Sequence, residues 1–504
     1  MKKITLFILF VLVTYSAISQ DISGYWNGIL QVQGKQFRIG FEFTKKDSVY
    51  TAFMDSPDQG VNRIRVSKTT LKDKILKLEI TESKVQYTGN LGEMDTIVGN
   101  LKQGEQVFPL NFSKGVADTL VRPQEPKGPF SYYTENIKFE NKADKIILGG
   151  TLTLPKKVGV FPVVVLISDK GAQNRNGEMY DHKTFLVLAD YLTKNGVAVL
   201  RYDDRGTGQS TGDFKTATTA DFKNDVEAAL LYLQTRKEIK KEQIGLIGHG
   251  EGAIIAPMVA AKSSDINFMI LLAGTGLSAD KSMIIQEENL SKAMGMKDLE
   301  LKKNIGLKRG AYDVVLKYGS SEKLKVQLKS YYKEALKDSA ERAAMKPSIV
   351  KIDSSRLNLS KSDSLKFVKL DSIKAEKLKL ERVKRDKYIS QQVEELSTPW
   401  MQYYINISPE AYLEKVKCPV LILNGSKDME VPPIVNLDAI ITALKKGGNS
   451  QYDSKAFPNT NHLFQNCKTG LVSEYKLIEQ TISPLLLSEI SKWIKLKTTP
   501  IIKE

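Results

Sequence analysis

The chain has 504 residues, too many for one ordinary domain, and 41% are hydrophobic, which excludes wholesale disorder and allows large cores. Its formal net charge is +16. The excess is mostly lysine spread along amphipathic segments, without arginine clusters or interleaved aromatics, so a solvated basic surface is expected rather than a nucleic-acid partner.

Lys2 and Lys3 precede an apolar run from Ile4 to about Tyr15, and Ala17-Ile18-Ser19 offers the small residues a signal peptidase reads. The run is short for a membrane span. Residues 1–19 are therefore expected to be a cleaved signal peptide, with membrane contact limited to that leader and a periplasmic or extracellular mature protein.

Residues 21–113 read as a small β-rich domain. Gly24-Tyr25-Trp26-Asn27-Gly28 opens an alternating run, 37–43 alternates apolar and polar, and strand-like runs follow at 76–80 and 96–99 between Gly, Asp and Asn turns. Trp26, Phe41 and Tyr50 are expected in its core. Pro123, Pro126 and Pro129 with Gly128 mark 114–130 as a stiff linker.

From 131 the texture changes to strands alternating with helices. Apolar runs at 162–167, 197–200, 244–247, 268–272 and 419–423 have the character of buried parallel strands, with helical stretches at 221–234 and 433–444. The expected fold is α/β, a doubly wound sheet in two parts, 131–276 and 409–504. Between them, 277–408 is a lysine-rich, helical insertion. It would lie over the carboxyl ends of the strands as a cap, with 361–387 as one long exposed helix.

The chemistry concentrates around Gly248-His249-Gly250-Glu251-Gly252, between a buried strand and a helix-forming run. This is the position and shape of a nucleophile elbow, whose flanking glycines permit a strained, closely packed turn. Its centre, which normally carries an oxygen, is Gly250. A dinucleotide-binding loop is the competing reading, but the motif lies late in the alternating region and no acidic residue ends the following strand. Asn424-Gly425-Ser426-Lys427-Asp428 puts Asp428 after one strand, and Phe457-Pro458-Asn459-Thr460-Asn461-His462 puts His462 after the next. Nucleophile, acid, histidine is the α/β-hydrolase chain order. His462 would be the general base and Asp428 the group that orients it.

These motifs resemble the α/β-hydrolase superfamily, specifically exported bacterial serine aminopeptidases and esterases. Arg201-Tyr202-Asp203-Asp204-Arg205-Gly206-Thr207-Gly208-Gln209-Ser210 resembles the family's loop after the fourth strand. Cys418-Pro419-Val420-Leu421 with 425–428, and Asn461-His462-Leu463-Phe464, resemble its acid and histidine motifs. The β-rich module with Asp55-Ser56-Pro57-Asp58-Gln59-Gly60 resembles its accessory domain. The resemblance implies a small ester, amide or peptide substrate.

Two departures stand out. The family's elbow reads Gly-His-Ser-Glu-Gly, and its oxyanion loop Ser-Gly-Ser-Gly; here the loop is Ser168-Asp169-Lys170-Gly171. The expected oxyanion donors are the Glu251 amide and an amide near Ser168 or Asp169, and an inward Asp169 carboxylate would oppose a developing oxyanion. Without an oxygen at Gly250 the acyl-serine route is closed. The expected outcomes are an impaired hydrolase, a binding protein that keeps the cleft, or a hydrolase using another nucleophile or a water in the vacated space.

Two cysteines, Cys418 and Cys467, and three histidines, His182, His249 and His462, show no metal-ligand spacing. No metal or other cofactor is implied, and both cysteines are expected as free thiols. Oligomeric state is left open by the sequence.

Overall fold

The computed structural model describes residues 21–32, 35–47, 49–56, 61–93, 95–115, 122–337 and 361–499; the expected leader and 57–60 lie outside them. The chain divides into two compact units at 121/122.

In the first unit, ten antiparallel strands form one sheet. Its path runs Val61–Arg65, Val49–Ser56, Lys35–Lys46, Gly24–Val32, Phe112–Lys114, Thr96–Gln103, Val85–Leu91, Ile75–Ile80 and Lys68–Lys72, with Gln106–Pro109 paired to Thr96–Gln103 off the path. Alternation decides which face is buried: Val85, Tyr87, Gly89 and Leu91 point in and the residues between them point out. Trp26, Phe41 and Phe112 are core residues. Trp26 satisfies its buried indole by donating to the Ile22 carbonyl at 2.8 Å. Tyr50 is only partly buried at the edge of this core.

The second unit holds an eight-stranded sheet ordered Tyr133–Asn141, Ile146–Leu154, Ala198–Tyr202, Phe161–Ile167, Ile239–His249, Phe268–Leu272, Val420–Gly425, Tyr452–Phe457. Ile146–Leu154 pairs antiparallel with both of its neighbours, and the other pairs are parallel. Continuous apolar runs are required because both faces are covered. In the Phe161–Ile167 strand, Val163, Val165 and Ile167 pack with Val226, Leu230 and Val259 on one side. Val164 and Leu166 pack with Leu188, Leu192 and Ile490 on the other.

The helix Thr219–Thr235 starts at a capping box between Thr218 and Asp221. The cap contains Ala279–Ala293, Asp298–Tyr318, Leu324–Ala335, Lys361–Leu396 and Pro399–Tyr404. These share their own small core, including Val315, Leu328, Tyr332 and Ile389. The long helix continues to Leu396, beyond the expected 387, because its last turns bury Ile389 and Leu396 there.

Residues 122–130, within the stiff linker expected over 114–130, dock on the second unit. The Arg122 guanidinium donates to the carbonyls of Ile478 at 2.6 Å and Lys476 at 2.7 Å. Gln124 donates to Ile482 and accepts from Thr481. Two long polar side chains satisfy the irregular backbone of 476–482, so the segment belongs to the second unit. Both cysteines are free, and no described helix is long and apolar enough to cross a membrane.

Candidate active site

Loops at the carboxyl ends of parallel strands form the natural site in such a sheet. Four supply the residues singled out above: Ser168 and Asp169 follow Phe161–Ile167, Gly250 follows Ile239–His249, Asp428 follows Val420–Gly425, and His462 follows Tyr452–Phe457. The strand-to-helix turn at Gly250 has φ +54°, and the helix Gly252–Ala260 begins two residues later. A Cβ at Gly252 would stand 2.3 Å from the Ile167 carbonyl oxygen. That backbone cannot retreat without moving the central strand, so Gly252→Ala should cost about 3 kcal/mol in denaturant unfolding.

Asp428 and His462 come together as expected. His462 Nδ1 donates to Asp428 Oδ2 at 2.8 Å. The other Asp428 oxygen accepts the amides of Glu430 and Val431 at 2.9 and 2.8 Å, which fixes the carboxylate plane. His249 Nε2 donates to the His462 carbonyl at 2.9 Å and ties the elbow to the histidine loop.

The space at Gly250 is not vacant. An ideal Cβ built there would lie 1.9 Å from Asp169 Oδ1 and 2.2 Å from its Cγ. Asp169, the side chain on the oxyanion loop, has swung into the place of the missing one. Its Oδ1 accepts the Glu251 amide at 2.9 Å, and its Oδ2 lies 3.3 Å from His462 Nε2. This changes two expectations: the place expected for a water at Gly250 is filled by the Asp169 carboxylate, and the Glu251 amide is already engaged by an internal anion. Ser168 is turned aside, its hydroxyl donating to Asp204 Oδ1 at 2.8 Å. Asp204 also accepts the Gln173 amide at 2.9 Å, so the Arg201–Ser210 loop holds the oxyanion loop in shape.

Asp169, His462 and Asp428 are all buried, with side-chain exposures of 4%, 2% and 0%. Burial opposes the charge on His462, but Asp428, Glu430 and Asp169 raise its pKa well above the ordinary histidine value. Burial likewise opposes ionisation of Asp169, yet the hydrogen bond and charge of His462, with His249 and Lys170 nearby, hold its carboxyl well below the usual range. The resting arrangement is carboxylate, imidazolium, carboxylate, with both ring nitrogens donating. Lys170 pairs with Glu430 at 3.0 Å alongside.

Glu251 is different. Burial pushes its pKa up to about 7, although its Oε1 accepts from Thr219 at 2.6 Å and from Trp400 of the cap at 2.9 Å. A raised carboxyl pKa contributes stability that is complete below the unfolded value near 4.5 and lost as pH rises towards 7. Glu251→Gln keeps the accepting oxygen and removes the titration. It should flatten the fall in unfolding free energy between pH 5 and 8 by about 2–3 kcal/mol.

Asp169, His249 and His462 each bring one potential metal-ligand atom within 4.8 Å of the others, a grouping that spacing along the sequence did not reveal. His462 Nε2 already faces Asp169 Oδ2 at 3.3 Å and carries the proton between them, so the arrangement fits a salt-bridged triplet better than a metal centre. The sequence points to an inward Asp169 that opposes an oxyanion but not to its place at Gly250; the one available signal is the pairing of the two departures, a glycine and a polar side chain exchanged between facing loops.

The model of the family described as serine aminopeptidase, S33, matches residues 179–466. Esterase EstD of Thermotoga maritima is 29% identical over 192 residues, which are 38% of this chain and 44% of that protein. This chain therefore matches under half the length of that relative. Among solved structures, an esterase of Pyrococcus furiosus aligns with TM-score 0.40 and 14% identity, covering 75% of this chain and 97% of its own. The α/β hydrolase GrgF from a Penicillium species aligns with TM-score 0.40 and 12% identity over 72% and 99%. With the family match extending over more than half of its residues, the chain belongs to the serine aminopeptidase, S33, family of α/β-hydrolases.

Proposed function

We propose that this protein keeps the cleft of an ester- or amide-type hydrolase but cannot use the acyl-serine route, and that it acts in an exported compartment after loss of its leader. The reading rests on one observation: the Asp169 carboxylate fills the position of the nucleophile's side chain at Gly250 and engages the Glu251 amide. Glycine offers no atom to acylate. An acyl substrate would also meet a fixed anion where its carbonyl oxygen must become negative, reversing the favourable electrostatics of an oxyanion hole.

Carboxylate attack on an acyl carbon does not rescue the route. The tetrahedral intermediate would expel the carboxylate, a better leaving group than most alkoxides or amines. The wild-type protein should therefore hydrolyse p-nitrophenyl butyrate and aminoacyl anilides at a rate unchanged by His462→Ala, with no pre-steady-state burst. Turnover of either substrate that disappears in His462→Ala would overturn the reading. A loss of about 10⁶ in turnover is the scale set by removing a triad nucleophile.

A further inference from the structure

Resting on that reading of the elbow, we propose that Asp169 is itself a nucleophile, directed at small alkyl electrophiles: saturated carbon bearing a halide or sulfonate leaving group. Three features of the site support it. Its Oδ1 is held by the Glu251 amide while its Oδ2 faces His462. His462 is in turn oriented by Asp428. A small cavity beside Asp169 is lined on one side by Ile167, Ile255 and the stacked rings of Phe214 and Phe222, 5.4 Å apart, and on the other by the carboxyl groups of Asp204, Asp225 and Glu251. Displacement at saturated carbon forms no tetrahedral oxyanion on the substrate, so it does not need the donor that Asp169 occupies. That donor is instead in place for the second half of the reaction.

In the first step an Oδ2 lone pair forms a bond to the substrate carbon and the carbon–halide or carbon–sulfonate bond breaks, giving the anion and an alkyl ester of Asp169. Esterification removes one of the carboxylates that hold the proton on His462, which then releases that proton to solvent. In the second step neutral His462 takes a proton from water as the hydroxide adds to Cγ of Asp169. The negative charge falls on Oδ1, where the Glu251 amide receives it. Collapse expels the alkoxide, which takes the proton from His462 and leaves as the alcohol. The carboxylic acid at Asp169 then returns its proton to His462, restoring the resting triplet. The sum is alkyl electrophile plus water giving alcohol, anion and a proton.

The test uses the whole protein with 1-bromobutane and methyl methanesulfonate. His462→Gln should stop after the first step, and mass spectrometry of its peptides should find one butyl or methyl group on Asp169. The wild type, turning over in ¹⁸O-water, should carry ¹⁸O in the Asp169 carboxylate. Asp169→Asn should show neither. An unmodified Asp169 with both probes, alkylation spread over other carboxylates, or ¹⁸O in the alcohol but not in Asp169 would overturn the proposal. The isotope readout in wild type stands even if His462→Gln fails to fold. Failure here leaves the reading of the elbow intact, since that reading is tested separately by acyl turnover and serine restoration.

Discussion

Gly250→Ser alone should remain unlabelled by a fluorophosphonate, whereas Gly250→Ser combined with Asp169→Gly should label stoichiometrically at position 250. The single variant places a Cβ 1.9 Å from Asp169 Oδ1. The carboxylate must then move, and it is held by His462 and the Glu251 amide. Even if it gives way, an anion beside the new hydroxyl keeps His462 protonated and unable to act as a base. The double variant removes both obstacles. It frees the Glu251 amide for a developing oxyanion and leaves Asp428 as the orienting partner of His462. The turn already has the left-handed backbone, φ +54°, that an elbow nucleophile must adopt. A gain on the order of 10³-fold or more in p-nitrophenyl butyrate turnover over either single variant is expected, the scale of a working triad set against oxyanion binding alone. Equal labelling of single and double variants would mean that Asp169 does not obstruct the elbow.

Arg205→Met should be the most destabilising single change outside the site. The Arg205 guanidinium pairs with Asp225 at 2.8 Å and Asp144 at 2.7 Å, and its side chain is 8% exposed against 2% for Asp225. Removing one member of a buried ion pair leaves the other charge unpaired, at about 3–5 kcal/mol. The loss should appear as a lower denaturant midpoint with little change in slope. Adding Asp225→Asn should recover part of it, because Asn141 still donates to position 225. The effect should also reach the active site. Arg205 follows Asp203 and Asp204, which hold Arg175 and Ser168 respectively, so loosening this loop loosens the oxyanion loop that carries Asp169.

Much of this arrangement was legible in the sequence because it depends on local patterns. Val163 to Ile167 read as a strand buried on both faces, and its alternate residues do enter two different cores. Gly248, Gly252, Asp428 and His462 stood at fixed offsets from predicted strands, and the turn-forming loops deliver them to one end of the sheet. The position of Asp169 was not legible in the same way. Whether a side chain on one loop enters a gap on another, 81 residues along the chain (169 to 250), depends on the distance between two parallel strands and on rotamer choice. The docking of Arg122 and Gln124 on 476–482 was hidden for the same reason, since a proline-rich segment signals stiffness but not what it leans on.

The triplet makes the most direct prediction of all, because only three histidines need assigning. His462 pairs Asp428 and Asp169 through its two ring nitrogens. Nitrogen-15 NMR of the imidazole rings should therefore find His462 protonated on both nitrogens at pH 8, while His182 and His249, lowered by burial, are neutral. Asp169→Asn should bring the His462 titration down towards the ordinary range. A His462 that titrates near 6.5 in the wild type, with no response to Asp169→Asn, would contradict the central claim that Asp169 has taken the nucleophile's place.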